Sequence, residues 1–384
     1  MAYRAGIIGC GSIATTHARA YQSVPGIEIA AAADPVERAR RALHEQFGIP
    51  RIYADAGEML RGEQLDFVSI CLWHPLHAEF TLLAAVHRPR AILCEKPMAT
   101  CLAEADAMIA ACEANGVSLA IGHQRRFYRS WTRARELLAE GAVGTPVLVT
   151  VQTGDGLLNC GTHAVDAIRY MLGDPEAEWV FGAVERKTDR FERNVRSEDC
   201  CMGLMQFKGG AQALVQCDLT GTSQVENYSI RGSEGVLDVK QRELRLLRGG
   251  APTPRTSGGV GTLGWEVIET GHEDPWVCQV RELVMWVEGR SGHRNEARHG
   301  RAALEILMAI YQSAREREVV RMPLTVQENP LERMVEEGKL PVKEDGAYDI
   351  RLFLAFEPAE RERYDQMRRQ GMHPREILRA LGRR

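Results

Sequence analysis

The sequence has no long apolar run and no marked excess of charge of either sign. Its 384 residues include 48 Lys and Arg against 52 Asp and Glu, which gives a formal net charge of −4. Such a balance gives no electrostatic reason to expect a nucleic-acid or anionic-membrane partner. No apolar stretch approaches the roughly 20 residues that span a bilayer, and the N-terminus has no signal-peptide pattern. We therefore expect a cytoplasmic protein that binds neither nucleic acid nor membrane.

The chain also lacks the cysteine spacings that are typical of metal sites. None of its ten cysteines forms a C-x-x-C pair, and no His/Cys cluster has zinc spacing. Cys71, Cys94, Cys200 and Cys201 lie inside apolar segments, as buried free thiols do in a reducing compartment. We therefore expect neither a disulfide nor a bound metal.

What the sequence does contain, from its first residues onward, is a glycine loop. An apolar strand over residues 4–9 leads into G-C-G-S-I-A at residues 9–14 and then into a helix pattern. Gly9 permits a tight turn, and Gly11 lets a pyrophosphate approach the backbone. The backbone of Ser12 and Ile13 begins the helix, whose N-terminus favours negative charge. The pattern predicts a dinucleotide-binding turn.

An acidic residue follows at the spacing that such a turn requires. The second strand pattern, over residues 28–33, ends at Asp34, whose carboxylate can accept hydrogen bonds from ribose hydroxyls. A 2′-phosphate would face this carboxylate at short range, so we predict NAD as the cofactor and NADP as the less favoured one. The nearby Arg38, Arg40 and Arg41 can soften that repulsion.

The length of the chain predicts two domains, and the pattern changes near residue 123. Short apolar strands alternate with helices over residues 1–122, which indicates βαβ units and a parallel sheet of Rossmann type, an α/β fold. Longer β-rich segments over residues 123–340 indicate an α+β domain on a mostly antiparallel open sheet. Residues 251–264 have the composition of a surface loop, and residues 341–384 form a charge-rich tail whose role the sequence leaves open.

Two polar positions follow strands of the predicted parallel sheet. Lys96, in Glu95-Lys96-Pro97, comes directly after the strand over residues 91–94, at the edge where the binding crevice of such a sheet lies. It either reaches the nicotinamide ribose and a substrate hydroxyl or is a solvated lysine in a turn. His77 follows the strand over residues 67–72 and either contacts the cofactor or caps the next helix.

A third position lies in the second domain. We expect one helix over residues 156–172, in which Asn159, His163 and Asp166 share a face. A histidine between an amide and a carboxylate can be held in one tautomer near neutral pKa, as proton transfer requires. The alternative is a core histidine that its helix neighbours satisfy.

Several of these motifs together carry a family resemblance. They are G-C-G-S-I-A at residues 9–14, E-K-P at 95–97, G-H-Q-R-R-F at 122–127, G-L-L-N-C-G-T-H-A-V-D at 156–166 and I-R-G-S-E-G at 230–235. In this order, over roughly residues 3–325, the chain resembles the Gfo/Idh/MocA oxidoreductases, named for glucose–fructose oxidoreductase and inositol dehydrogenase.

The resemblance implies a Rossmann domain, a sheet domain for substrate binding and oligomerisation, and NAD(P)-linked chemistry on a sugar or cyclitol hydroxyl. It implies that Lys96 and His163 form the catalytic pair and that Glu95 and Lys96 also face the cofactor. Arg126 and Asn159 are then substrate contacts. The family often has an acid where this chain has Asn159, and an amide cannot relay a proton.

We therefore expect an NAD-dependent dehydrogenase of a sugar, glycoside or cyclitol. A glycoside-cleaving enzyme that uses transient oxidation and a non-catalytic dinucleotide sensor are the alternatives.

Leu204 and Met205, like Leu214 and Val215, place apolar residues on both faces of the second sheet. We expect a homodimer or homotetramer joined through that sheet, because an exposed apolar face of this size is rare in monomers.

Overall fold

The structure is a computed structural model, and it describes residues 2–220, 226–249 and 264–383. All but the last residue of the loop predicted over residues 251–264 lies outside these ranges. Within them, no helix combines the length and the apolarity needed to cross a bilayer.

The N-terminal domain contains a six-stranded sheet in the order β3-β2-β1-β4-β5-β6, and every strand pair in it is parallel. The order reverses between β1 and β4, which places the binding crevice at the carboxyl ends of these strands. The predicted parallel sheet is confirmed. Its strands are β1 (Tyr3–Ile8), β2 (Ile27–Ala33), β3 (Arg51–Tyr53), β4 (Phe67–Ile70), β5 (Ala91–Cys94) and β6 (Ser118–Ile121). Its helices are α1 (Ser12–Gln22), α2 (Glu37–Phe47), α3 (Ala56–Gly62), α4 (His77–Ala85) and α5 (Leu102–Asn115).

The second domain is built on a nine-stranded sheet in the order β16-β15-β14-β13-β7-β12-β11-β8-β17, in which only β7 and β12 pair in parallel. The mostly antiparallel sheet is thus also confirmed. Its strands are β7 (Pro146–Thr153), β8 (Ala177–Glu185), β11 (Cys200–Phe207), β12 (Gln212–Cys217), β13 (Tyr228–Gly232), β14 (Gly235–Lys240), β15 (Glu243–Arg248), β16 (Glu266–Val267) and β17 (Val320–Arg321).

Helices cover one face of this sheet, namely α6 (Arg129–Ala139), α7 (Thr162–Met171) and α9 (Ala297–Glu316). Met205 and Val215 are buried on the covered face, whereas Leu204 and Leu214 face each other across β11 and β12 and are half-buried. The strands therefore present apolar residues on both faces, as predicted. Gly182 lets α9 approach closely, since a Cβ there would lie 2.3 Å from the Ile310 carbonyl oxygen.

The chain returns to the first domain after the second sheet. Helix α8 (Pro275–Val287), capped by Asp274, packs Val280 and Leu283 into the apolar cluster beneath α1. Helix α9 also lies against β6, where Gly300 meets Ile121. The N-terminal core is thus completed by residues far downstream of residue 122.

The C-terminal tail folds onto its own chain. Strand β18 (Glu344–Asp349) pairs in parallel with β9 (Thr188–Glu192), which also pairs with β10 (Val195–Arg196). Helix α10 (Pro330–Glu336) packs against α9 before the tail begins, and the helices of the tail are α11 (Pro358–Arg369) and α12 (Pro374–Ala380). Tyr348, Ile350, Tyr364 and Ile377 form a small core of their own. The tail is therefore part of the architecture around the second domain.

Candidate active site

The glycine loop lies at the carboxyl end of β1, and the space beside Gly11 is open. Gly9 has φ +88°, and a Cβ there would lie 2.5 Å from the Cys71 carbonyl oxygen. Helix α1 starts at Ser12 without a side-chain cap, and nothing lies within 4 Å of a Cβ built on Gly11. These residues fit a pyrophosphate at the N-terminus of α1, with the backbone of Ser12 and Ile13 facing it.

Asp34 is fixed at the same edge. Its Oδ2 accepts a hydrogen bond from the Cys10 amide at 2.8 Å, and its Oδ1 accepts one from the Val36 amide at 2.8 Å. The carboxylate is thus fixed in position beside the glycine loop, which suits the hydroxyls of an adenosine ribose.

The three arginines near Asp34 have partners of their own. Arg38 pairs with Glu357 at 2.7 Å and Arg41 with Glu37 at 2.6 Å. Arg40 donates to the backbone carbonyl oxygen of Asp34 at 3.2 Å. Because two of these guanidinium groups are already paired with carboxylates, they offset the charge of Asp34 less than the sequence alone implies.

Glu95 is a buried link between β5 and α1. Its Oε1 lies 3.0 Å from Nε2 of His17, and its Oε2 accepts from the Lys96 amide at 3.3 Å. Burial alone favours the neutral carboxyl, but the hydrogen bond and charge of His17 outweigh it and hold the pKa of Glu95 below its usual value. A Cβ on Gly122 would lie 2.7 Å from Oε1, so a glycine is needed there. Glu95 therefore fixes the turn that carries Lys96.

His77 lies beneath the same turn and is fully buried. Its Nδ1 is 2.7 Å from the Pro97 carbonyl oxygen, and its Nε2 is 3.0 Å from that of Leu72. The ring thus joins the loops after β4 and β5. Both nitrogens are engaged with backbone, so the arrangement suits a role in positioning Lys96.

Lys96 reaches across the crevice to the second domain. Its Nζ donates to Oδ1 of Asn159 at 2.8 Å and to the Asn159 carbonyl oxygen at 3.2 Å. Burial lowers the pKa of Lys96. The Asn159 amide in turn donates to the Asp155 carbonyl oxygen at 3.1 Å, which fixes the direction of its Oδ1.

Residues 157–161 differ from the single α-helix predicted over residues 156–172. Leu157–Gly161 form a π-helical turn, in which the Gly161 amide donates to the Gly156 carbonyl oxygen, and α7 begins only at Thr162. The wider turn changes the angular spacing between Asn159 and His163. Within the part of the chain that the structure describes, no hydrogen bond joins His163 to Asn159 or to Asp166.

His163 lies close to this turn and is 4% exposed. Its Nδ1 is buried without a hydrogen-bond partner, and its ring packs edge-on against His123 at 5.6 Å between centroids. Burial, together with the positive charges of Arg125 and Lys96, holds the pKa of His163 well below its ordinary value. The imidazole is therefore neutral at pH 7 and can accept a proton.

Arg126 has a different location from the one expected of a substrate contact. It is 1% exposed, and its Nε and Nη2 bind the carboxylate of Asp166 at 2.7–3.0 Å. Nη2 also lies 2.8 Å from Asp174. The guanidinium thus pairs with the buried Asp166 and the half-buried Asp174, which explains why Asp166 is unavailable to His163.

Its neighbour Arg125 instead lines a cavity of about 570 Å³ beside the π-helical turn. The cavity combines charged and aromatic side chains, as carbohydrate sites do. They include Arg125, Tyr128, Trp131, Asp155, Cys160, Glu226, Tyr228 and Lys240. Two carboxylates hold the backbone at its wall. The buried Glu198 accepts from the Leu157 amide at 2.6 Å, and the half-buried Asp218 accepts from the Asp155 and Gly156 amides at 2.9 and 2.8 Å. Glu198 also lies near Cys201 and Cys217, a group of potential metal ligands.

A second group of residues at the site was not predicted from sequence patterns. Arg193, in the turn after β9, donates to Oδ1 of Asn159 at 3.1 Å, beside Lys96. Glu192 lies 3.1 Å from Nδ1 of the buried His74. Arg351, from the tail, binds Asp155 at 2.6 Å. Only Asn194, a residue tolerant of positive φ, marks the turn in the sequence.

Both domains of the chain are similar to known proteins. Residues 3–123 match the model of an oxidoreductase family with an NAD-binding Rossmann fold, and residues 152–238 match the GFO/IDH/MocA C-terminal domain. A D-apiose dehydrogenase of Paraburkholderia graminis is 28% identical over 85% of this chain and 92% of its own. A myo-inositol 2-dehydrogenase of Thermotoga maritima is 27% identical over 55% of this chain and 67% of its own length. A solved oxidoreductase from Agrobacterium radiobacter, in complex with NAD+, L-tartaric acid and magnesium, shares the fold with a TM-score of 0.72, at 20% identity over 84% of this chain and 98% of that one.

Proposed function

The chain belongs to the Gfo/Idh/MocA family of NAD-binding oxidoreductases, and we propose that it transfers hydride between nicotinamide and a secondary hydroxyl of a sugar, glycoside or cyclitol. The observation that carries the proposal is the contact of Lys96 with Asn159 across the crevice, beside the neutral His163. The named activities of the apiose and inositol relatives support a polyhydroxylated substrate.

Lys96 and His163 divide the chemistry between them. The Lys96 ammonium orients the substrate hydroxyl and stabilises the developing alkoxide, while His163 accepts the hydroxyl proton. A bound nicotinamide supplies the hydride acceptor, or the donor in the reverse direction. The pyrophosphate of the dinucleotide would be held by Gly9, Gly11, Ser12 and Ile13. His77 and Glu95 keep the Lys96 turn in place, and Asn159 keeps the ammonium directed at the crevice.

The geometry favours NAD over NADP. Asp34 would accept from both ribose hydroxyls and repel a 2′-phosphate. Among the arginines that could offset this repulsion, Arg38 and Arg41 are paired with Glu357 and Glu37.

The decisive experiment is a spectrophotometric screen of NAD and NADP against neutral sugars, cyclitols and glycosides, with the change in nicotinamide absorbance as readout. We expect NAD-dependent turnover of at least one polyol. Release of a free sugar without net change in absorbance would instead identify a glycoside-cleaving enzyme. Nucleotide binding without turnover of any substrate would identify a sensor.

The outer face of the second sheet supports a homodimer or homotetramer. Leu204 and Leu214 form a cross-strand pair on it, and Phe181 beside them is 40% exposed. Light scattering at micromolar concentration should give twice or four times the 42.8 kDa mass of the chain. A monomeric mass would contradict this assembly.

We assign the protein to the cytoplasm, where its ten free cysteines stay reduced.

A further inference from the structure

The C-terminal tail brings an arginine to a carboxylate that lines the 570 Å³ cavity. Asp349, the last residue of β18, accepts from the Asn194 amide through Oδ2 and from the Arg351 amide through Oδ1, each at 2.7 Å. The same carboxylate thus fixes the backbone of Arg351 and the turn that carries Arg193. The position of the Arg351 side chain is therefore determined by the sheet that the tail completes.

The guanidinium of Arg351 lies beside a carboxylate at the wall of the cavity. Its Nη2 donates to Oδ2 of Asp155 at 2.6 Å, and the two side chains are 23% and 29% exposed. Its Nε is buried without a hydrogen-bond partner and lies 3.8 Å from Oε1 of Glu192. Asp155 lines the 570 Å³ cavity and also a neighbouring cavity of about 370 Å³, which Arg351 lines with it.

This pair is connected to the catalytic groups by one short segment of backbone. The Asp155 carbonyl oxygen accepts from the Asn159 side chain, and the Asn159 Oδ1 accepts from Nζ of Lys96. Asp155 therefore precedes by four residues, and contacts through its backbone, the amide that orients Lys96.

We propose that Asp155 and Arg351 form a subsite for a vicinal diol of the substrate, and that Arg351 is a specificity-determining residue. The inference rests on the proposed function. Each hydroxyl of a diol both donates and accepts a hydrogen bond, so a paired guanidinium and carboxylate offer it complementary partners. Because the pair carries no net charge, the subsite favours neutral polyols over sugar acids and sugar phosphates.

The test is Arg351→Gln, with the exposed Arg369→Gln of the same tail as the matched control. We expect KM for the best polyol to rise on the order of 10- to 100-fold, as for loss of a charge-assisted hydrogen bond. We expect kcat to change by less than about threefold, and NADH affinity and the thermal midpoint to stay at the values of Arg369→Gln.

A substrate series sharpens the test. The wild type should lose a similar factor in kcat/KM when one remote hydroxyl of the polyol is replaced by hydrogen. Arg351→Gln should lose little further on the same replacement, because the partner of that hydroxyl is already absent. Arg351→Lys, which keeps the charge, provides the same comparison if the glutamine variant unfolds.

Two results would overturn the inference. One is an unchanged KM in both Arg351 variants for every accepted polyol, and the other is fully additive losses from the variant and the deoxy substrate. Both presuppose that the wild type oxidises polyols. Failure of the proposed function itself would appear as a wild type without nicotinamide-linked turnover, so the two failures are distinguishable.

Discussion

Replacing Asn159 by aspartate should raise the pH at which activity falls on the alkaline side. In the wild type the Lys96 ammonium faces a neutral amide oxygen at 2.8 Å, and burial lowers the pKa of that ammonium. Asn159→Asp puts a carboxylate at the same place with almost no change in shape. The ammonium is then stabilised by charge instead of by a dipole.

The size of the shift follows from simple electrostatics. Two unit charges about 4 Å apart interact by about 4 kcal/mol at an effective dielectric constant of 20, and 1.36 kcal/mol corresponds to one pKa unit. Two effects reduce the stabilisation of the ammonium. The new carboxylate is desolvated, and it also interacts with Arg193, which already donates to Oδ1 at this position. We therefore expect the pKa of Lys96 to rise by about 1–3 units.

The measurement is the pH dependence of kcat/KM for polyol oxidation. Activity should fall at alkaline pH as Lys96 loses its proton, and this limb should lie about 1–3 pH units higher in Asn159→Asp than in the wild type. Asn159→Gln, which keeps a neutral amide, is the control, and its alkaline limb should not move to higher pH than that of the wild type. An alkaline limb that is the same in wild type and Asn159→Asp would refute the assignment of that ionisation to Lys96.

Three further expectations concern the proton acceptor, the cofactor and the folded state. His163→Ala should lower kcat by on the order of 10²–10⁴ while NADH titration shows unchanged binding; a near-full rate would make His163 a structural residue. Asp34→Ser should raise kcat/KM for NADP relative to NAD by on the order of tenfold, and a wild type that already prefers NADP would refute the role of Asp34. Burial lowers the pKa of His123, His293 and His299 to about 4. The unfolded chain therefore binds more protons between about pH 6.5 and 4, so each histidine should cost about 1.4 kcal/mol of stability per pH unit on acidification. Thermal unfolding at pH 7, 6 and 5 would show this as a falling midpoint, and a constant midpoint would contradict it.

Local sequence patterns were enough to predict the parallel sheet and the glycine loop of the N-terminal domain. Gly9, Gly11 and Asp34 are positioned by the backbone geometry of β1, α1 and β2, and all the information for that geometry lies within about 30 residues. The position of Lys96 follows from the rule that parallel strands carry their binding residues at their carboxyl ends. Both features depend on contacts near in sequence, which periodicity and spacing describe well.

The substrate side depends on contacts that periodicity does not contain. Arg125 and Arg126 are adjacent, and their carboxylate partners distinguish them: Arg126 binds Asp166 and Asp174, whereas Arg125 binds Glu226. The π-helical turn at Leu157–Gly161 is held by Glu198 and Asp218, which lie some 40 to 60 residues downstream. Arg351 reaches Asp155 from 196 residues away. Such long-range pairs leave no local signature in one sequence.

The return of α8 to the first domain has a consequence for how the protein is made. Ala14 and Tyr21 of α1 share an apolar cluster with Val280 and Leu283, so this side of the N-terminal core stays uncovered until α8 has been synthesised. About 165 residues separate the end of the parallel sheet from the end of α8. At typical elongation rates of roughly 5–20 residues per second, they leave the ribosome over about 8–33 s. During that interval the nascent chain exposes the apolar face of α1, so we expect it to bind chaperones that recognise apolar surfaces on emerging polypeptides.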